Sequence, residues 1–205
     1  MRDEGVEEMT KEFVHPSSFA PKGGEATEGT QTRILHPYLV IFSGPPGVGK
    51  SSLSYRLARH TGWALLARDQ FDRTLQRMEI ENWPLGGSYE LLYDLAALNL
   101  QNGVSVILDA VFPKQGFRQR FTELAGCFGA RLKVIVCHCS DPELWRRRVE
   151  TRPEMVSGWT PADWTEAQRV QERYEAWNIP YLSLDAIHPF DYNFNLILAS
   201  LNLHP

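Results

Sequence analysis

The sequence predicts an α/β fold in which a parallel sheet is covered by helices on both faces. Three observations carry it. From Leu39 onward apolar runs of strand length alternate with segments of helical periodicity. The runs are almost unbroken in apolar character, as strands buried on both faces require. The first of them, Tyr38-Leu39-Val40-Ile41-Phe42, enters a glycine-rich turn that opens into a helix.

That turn, Gly44-Pro45-Pro46-Gly47-Val48-Gly49-Lys50-Ser51, fits G-x-x-x-x-G-K-[ST] in full. Glycines let the backbone turn its N–H groups toward phosphate oxygens, and the helix that follows adds its positive N-terminal dipole. Lys50 reaches the β/γ-phosphates and the Ser51 hydroxyl is placed to ligate Mg²⁺. Gly44, Pro45, Gly47, Val48, Gly49, Lys50, Ser51 and Ser52 are therefore the expected nucleotide-binding residues. A plain glycine turn would need neither the lysine nor the serine. The pattern points to a nucleoside triphosphate.

The remaining elements follow in order. The first strand is expected at about 38–43, with its helix from Lys50 to about His60 and a stop at Gly62. A short strand at 63–67 leads to a helix beginning near Asp69; residues 82–87, with Pro and two glycines, break the pattern. Ser88 is expected to cap a helix over about 89–102. A third strand, 104–109, ends in Asp109, and a basic helix follows at about 114–127. The fourth strand is 132–137, and Asp141-Pro142 is an N-cap and N1 pair for a helix over 142–151. Residues 153–160 read as a loop, Thr160-Pro161 as the start of a helix to Trp177, 181–184 as the fifth strand and 191–201 as the last helix.

Composition narrows the classes. At 205 residues, with 43% hydrophobic and 22% charged residues, the chain fits one domain with a proper core. Residues 1–33 are acidic and then rich in Gly, Pro, Ser and Thr, the composition of a flexible tail ahead of a domain over 34–205. A net charge of −4 offers no global attraction to nucleic acid. No apolar run approaches the length of a membrane span, and the acidic N-terminus does not read as a signal peptide. Three cysteines form no disulfide framework, which suits a reducing cytoplasm. Cys137-His138-Cys139 lacks a second ligand pair and reads as strand residues rather than a zinc site.

Open α/β sheets bind ligands at the carboxyl ends of their strands, where several charged residues fall. Asp109 stands where an acid would hold Mg²⁺; the plainer alternative is a turn aspartate. Asp69 is a helix N-cap, a general base for an acceptor hydroxyl, or both. Arg146, Arg147, Arg148 and Arg152 precede the broken segment, and Arg148 and Arg152 share a helix face. They are expected either to clamp transferring phosphate oxygens from a lid at about 149–165 or to form a solvated face. Trp83, Tyr89, Trp159 and Trp164 are candidates to line an acceptor pocket, with packing as the alternative use.

The combination of Gly-Pro-Pro-Gly-Val-Gly-Lys-Ser-Ser, Arg68-Asp69, Val106-Ile107-Leu108-Asp109-Ala110 and Asp141 through Arg152 resembles the small P-loop kinase-like ATPases. That group includes phage polynucleotide kinase, chloramphenicol phosphotransferase and the zeta toxins. The resemblance runs from about 38 to 200 and implies a three-layer P-loop NTPase sandwich with strand order 2-3-1-4-5. It implies ATP with Mg²⁺, transfer to a hydroxyl, and Asp69 as the base. Many members place a basic residue three positions after that acid; here the position is Asp72, with Arg73 next. The charge balance favours a small-molecule acceptor over a nucleic-acid end. A nucleotide-binding switch that docks a protein partner is the competing class, and only the enzyme needs Asp69. Absence of an Asn-Lys-x-Asp motif agrees with adenine rather than guanine.

Overall fold

The computed structural model describes residues 36–80, 84, 86–151 and 162–204. The expected tail, most of the expected lid, Arg152, Trp83 and Trp159 lie outside the described residues. Strands β1 (Tyr38–Ser43), β2 (Ala64–Ala67), β3 (Val106–Asp109), β4 (Arg131–His138) and β5 (Leu182–Asp185) form one sheet. Its order is β2-β3-β1-β4-β5, and every pair is parallel. The helices are α1 (Lys50–Thr61), α2 (Arg68–Arg77), α3 (Gly87–Gln101), α4 (Gln115–Cys127), α5 (Pro142–Glu150), α6 (Trp164–Glu172) and α7 (Phe190–Ser200).

Alternation along β1 builds two cores. Leu39 and Ile41 pack with Leu92, Ala96, Phe121 and Leu124 beneath α3 and α4. Val40 and Phe42 face the other way, onto Leu53, Leu57, Phe194 and Ile197 of α1 and α7. Because β1 is central and buried on both faces, its carboxyl end falls in the middle of the sheet edge. The chain leaves it toward β2 on one side and returns through β4 on the other, which opens the crevice that such sheets use for ligands.

Local chemistry sets most boundaries. Gly62, left-handed at φ 72°, ends α1, its N–H donating to Ala58 O. Asp141 caps α5 by accepting from the Glu143 and Leu144 amides at 2.9 and 3.0 Å, with Pro142 in the first turn. Three expectations are corrected. Asp69 is not an N-cap: α2 starts after extended Ala67, with no side-chain cap, and Asp69 lies inside its first turn. Ser88 does not cap α3: the helix starts after left-handed Gly86, and Ser88, buried inside the first turn, donates to the Asp72 carboxylate. The helix expected to run to Trp177 ends at Glu172; α6 is capped by Asp163, which accepts from the Glu166 amide at 2.8 Å. Trp177 is drawn into the core beneath the sheet edge instead.

Candidate nucleotide and phosphoryl-transfer site

The loop between β1 and α1 takes its shape from glycines that no other residue replaces cheaply. Gly44 sits at φ +131°, and a Cβ there would fall 2.1 Å from the Cys137 carbonyl oxygen of β4. Gly47, at φ +82°, lies so close to α5 that a Cβ would meet Val149 Cγ2 at 2.5 Å. The tip is held from above: Trp145 Nε1 donates to Pro46 O at 2.8 Å, and Trp145 meets Trp164 edge-on with ring centroids 4.7 Å apart. Helix α5 thus rests on the glycine loop, and α6 packs on α5.

A cleft of about 350 Å³ opens along this loop. Gly47, Val48, Gly49, Lys50, Ser51 and Ser52 form one wall, and Arg148 reaches in from α5. Gly44 and Pro45 shape the base of the loop: the Gly44 amide donates to Val111 O at 3.2 Å, and Pro45 O accepts from Lys50 Nζ at 2.8 Å. The far wall is made by Ala186, His188, Phe190 and Asn193 after β5. Sequence reasoning missed these four, for they carry no motif and only the return of β5 to the sheet brings them here. Phe190 is braced by the Arg56 guanidinium, 5.2 Å from its ring centre, and Arg56 in turn pairs with Asp191 at 2.5 Å. Asn193 is fixed by donating to Asp185 O at 2.8 Å.

Asp109 lies beneath Lys50 and Ser51. It is 5% exposed and accepts from Ser54 Oγ at 3.2 Å. Burial pushes its carboxyl up; the Lys50 ammonium and the Ser51 hydroxyl pull against that rise, while neighbouring Asp69 adds to it. The donors gathered there, a buried carboxylate and the Ser51 hydroxyl beside the phosphate loop, are hard oxygens of the kind Mg²⁺ takes, so the residues fit that ion. Register explains the neighbourhood. Asp109 pairs across with Phe42 on one side and Ala67 on the other, so Asp69, two residues on and in the first turn of α2, arrives at the same edge.

The position expected to be basic has another use. The Asp72 carboxylate takes the Ser88 hydroxyl and an ion pair from Arg68 at 3.3 Å. Arg68 lies over the Tyr89 ring at 4.8 Å, and Arg73 Nε donates to Asp69 O at 3.0 Å. Tyr89 itself is core: 3% exposed and stacked on Phe117 at 4.3 Å. Cys137 and Leu184 are buried neighbours across β4 and β5, and among the described residues no group of three or more His, Cys, Asp or Glu could hold a metal ion. Nor is any described helix long and apolar enough to cross a membrane.

Comparison with known proteins agrees with this fold. A sugar kinase from Janibacter sp. HTCC2649 superposes with a TM-score of 0.62 at 19% identity, over 82% of this chain and 96% of its own. The APS kinase CysC of Mycobacterium tuberculosis, solved with AMPPNP and APS, gives 0.56 at 19% identity, over 82% and 98%. Kti12 of Chaetomium thermophilum, solved with ADP-AlF3, gives 0.60 at 20%, over 78% and 97%. No curated protein matches in sequence. A family model described as an AAA domain matches residues 39–176, more than half of the chain. The chain therefore belongs to that AAA domain family and has the fold of the small P-loop kinases.

Proposed function

We propose that the protein transfers the γ-phosphate of Mg-ATP to a hydroxyl group of a small molecule, with Asp69 as general base. The observation that carries this reading is the convergence, at one sheet edge, of Lys50, Asp109 and Asp69 beside a cleft that Arg148 enters from α5. The structurally similar sugar kinase and APS kinase support phosphoryl transfer to a small molecule in the same fold.

In this reading the amides of Gly47 to Ser51 receive the phosphates and the Lys50 ammonium meets the β/γ-oxygens. Asp109 and Ser51 hold Mg²⁺, which when bound neutralises charge on the phosphate oxygens. The adenine ring lies toward Ala186, His188 and Phe190. The acceptor hydroxyl sits near Asp69, whose carboxylate takes its proton as the oxygen attacks the γ-phosphorus. The bond from phosphorus to the β–γ bridging oxygen breaks, and ADP leaves. Arg148, with Arg152 proposed beside it from the sequence alone, receives charge spread over the equatorial oxygens. The protein acts in the cytoplasm, where its cysteines stay reduced.

The test is label transfer from γ-labelled ATP with Mg²⁺ across nucleosides, sugars, aminoglycosides and 5′-hydroxyl oligonucleotides. Label on one small-molecule class supports the proposal. Label on oligonucleotides, with turnover falling steeply in salt, would move the acceptor to nucleic acid. Tight ATP binding without transfer to any of them would favour the switch.

A further inference from the structure

Arg118, on α4, is the most completely buried charged side chain of the described residues, 1% exposed. A buried charge is normally met by an opposite one. Here the guanidinium hydrogen-bonds to four backbone carbonyls, and the Glu175 carboxylate acts on it without bonding to it directly. Its Nε donates to Phe112 O at 2.8 Å, Nη1 to Ala176 O at 2.9 Å, and Nη2 to Glu175 O at 2.8 Å and Pro113 O at 3.4 Å. Its faces are covered by Tyr174 and Trp177, with ring centres 4.8 and 4.4 Å away. Glu175 turns its carboxylate to the Gln115 amide and to Lys114. Such a group is expensive to bury, so what it grips matters.

It grips the exit of β3. Phe112, three residues past Asp109, has φ 50°, a left-handed conformation costing a bulky residue about 1–2 kcal/mol. Both of its peptide groups are held: its N–H by the Tyr89 hydroxyl at 3.0 Å, its carbonyl by Arg118. One residue earlier, Val111 O accepts from the Gly44 amide at 3.2 Å and from Ser43 Oγ at 2.8 Å, where the phosphate loop begins. Ser43 Oγ also meets Tyr174 OH at 2.6 Å, closing the circuit back to the segment Arg118 holds. The strained turn is therefore stitched on one side to the phosphate loop and on the other to Arg118 and Tyr89.

We infer that Arg118 and Tyr89 are positioning residues: by holding the turn at Phe112 they set the Asp109 carboxylate relative to Ser51, and so tune metal affinity more than nucleotide affinity. Neither touches the nucleotide cleft. The inference rests on the reading of Asp109 as a metal-holding acid.

The experiment titrates Mn²⁺ into full-length protein saturated with AMPPNP, reading free Mn²⁺ by EPR, and separately measures AMPPNP binding in EDTA by calorimetry. Arg118→Met and Tyr89→Phe are compared with wild type, with melting temperatures recorded. Tyr89→Phe keeps the ring in the core and carries the test should Arg118→Met not fold. Expected is Mn²⁺ binding weakened at least fivefold in each folded variant, with metal-free AMPPNP affinity within twofold. Mn²⁺ affinity within twofold of wild type in a folded variant overturns the inference, as does equal weakening of metal and nucleotide. Wild-type protein that binds Mn²⁺ no better than AMPPNP alone does would instead remove the metal reading of Asp109, and the inference with it.

Discussion

Replacing Gly44 by alanine tests how tightly the phosphate loop is tied to the sheet. Two costs can be worked out. A side chain at φ +131° carries backbone strain of about 1–2 kcal/mol. The new Cβ would also stand 2.1 Å from Cys137 O, whereas carbon and carbonyl oxygen approach no closer than about 3.3 Å even in weak hydrogen bonds. The obstacle is backbone of a central strand and cannot rotate away, so the loop entry must shift by about 1 Å. That shift breaks the Gly44 amide bond to Val111 O, about 1 kcal/mol net. The sum is about 3 kcal/mol, a large share of the 5–15 kcal/mol that holds a typical domain together. Gly62→Ala supplies the control, since its φ of +72° brings the same kind of strain with nothing within 4 Å of the new atom. Denaturant unfolding should show Gly44→Ala less stable than Gly62→Ala by at least about 1 kcal/mol. Calorimetry should show ATP affinity lost in Gly44→Ala and kept in Gly62→Ala. Equal destabilisation with ATP affinity retained in both would refute the packing argument.

Further outcomes are expected at Cys137, Trp145 and Asp141. Burial pushes the Cys137 thiol up to about 12, so in native protein at pH 8 it should resist iodoacetamide while exposed Cys127 reacts, as mass mapping would show. The same shift sets a sign. The unfolded chain loses this proton near pH 8.5 while the folded one keeps it to about 12, so stability falls by up to about 1.4 kcal/mol per pH unit across that window; Cys137→Ala should flatten the slope in denaturant titrations. Trp145→Phe removes the donor to Pro46 O while keeping an aromatic ring against Trp164, and should weaken ATP binding about fivefold by calorimetry, with a loss of about 1 kcal/mol in stability. Asp141→Ala removes a cap with two backbone donors, costing about 1 kcal/mol in denaturant unfolding and leaving ATP affinity unchanged.

Much of this molecule was legible where local chemistry decides. Gly44 to Ser51, the stop at Gly62 and the Asp141-Pro142 cap each follow from a residue whose backbone preference or hydrogen bonding has one good solution. The strand order came from resemblance, because periodicity does not say which strands pair. What stayed hidden depends on tertiary context. Ser88 has the chemistry of a cap, but Asp72 comes within reach across α2 and α3 and takes its hydroxyl. Trp177 fits a helical pattern, yet Tyr174 OH at 2.9 Å and the Arg118 guanidinium draw it out of the helix. Arg118 reads in sequence as one more charge on a basic helix, and only the fold reveals that carbonyls replace water around it. His188, Phe190 and Asn193 carry no spacing signal, since the cleft they line is assembled from opposite ends of the domain. A last helix over 191–201 was visible, but not that its first turn faces the phosphate loop.

The most direct test of phosphoryl transfer with Asp69 as base is single-turnover transfer from γ-labelled Mg-ATP to the acceptor class found by the panel, in wild type and Asp69→Asn, with ATP affinity measured alongside. A side chain of the same shape that cannot take a proton should lower the transfer rate at least 100-fold and leave ATP affinity within about threefold, given the 10²–10⁴-fold usual for general acid–base catalysis. Full transfer by Asp69→Asn at unchanged ATP affinity would contradict the account and leave Asp69 as a structural residue of α2 alone.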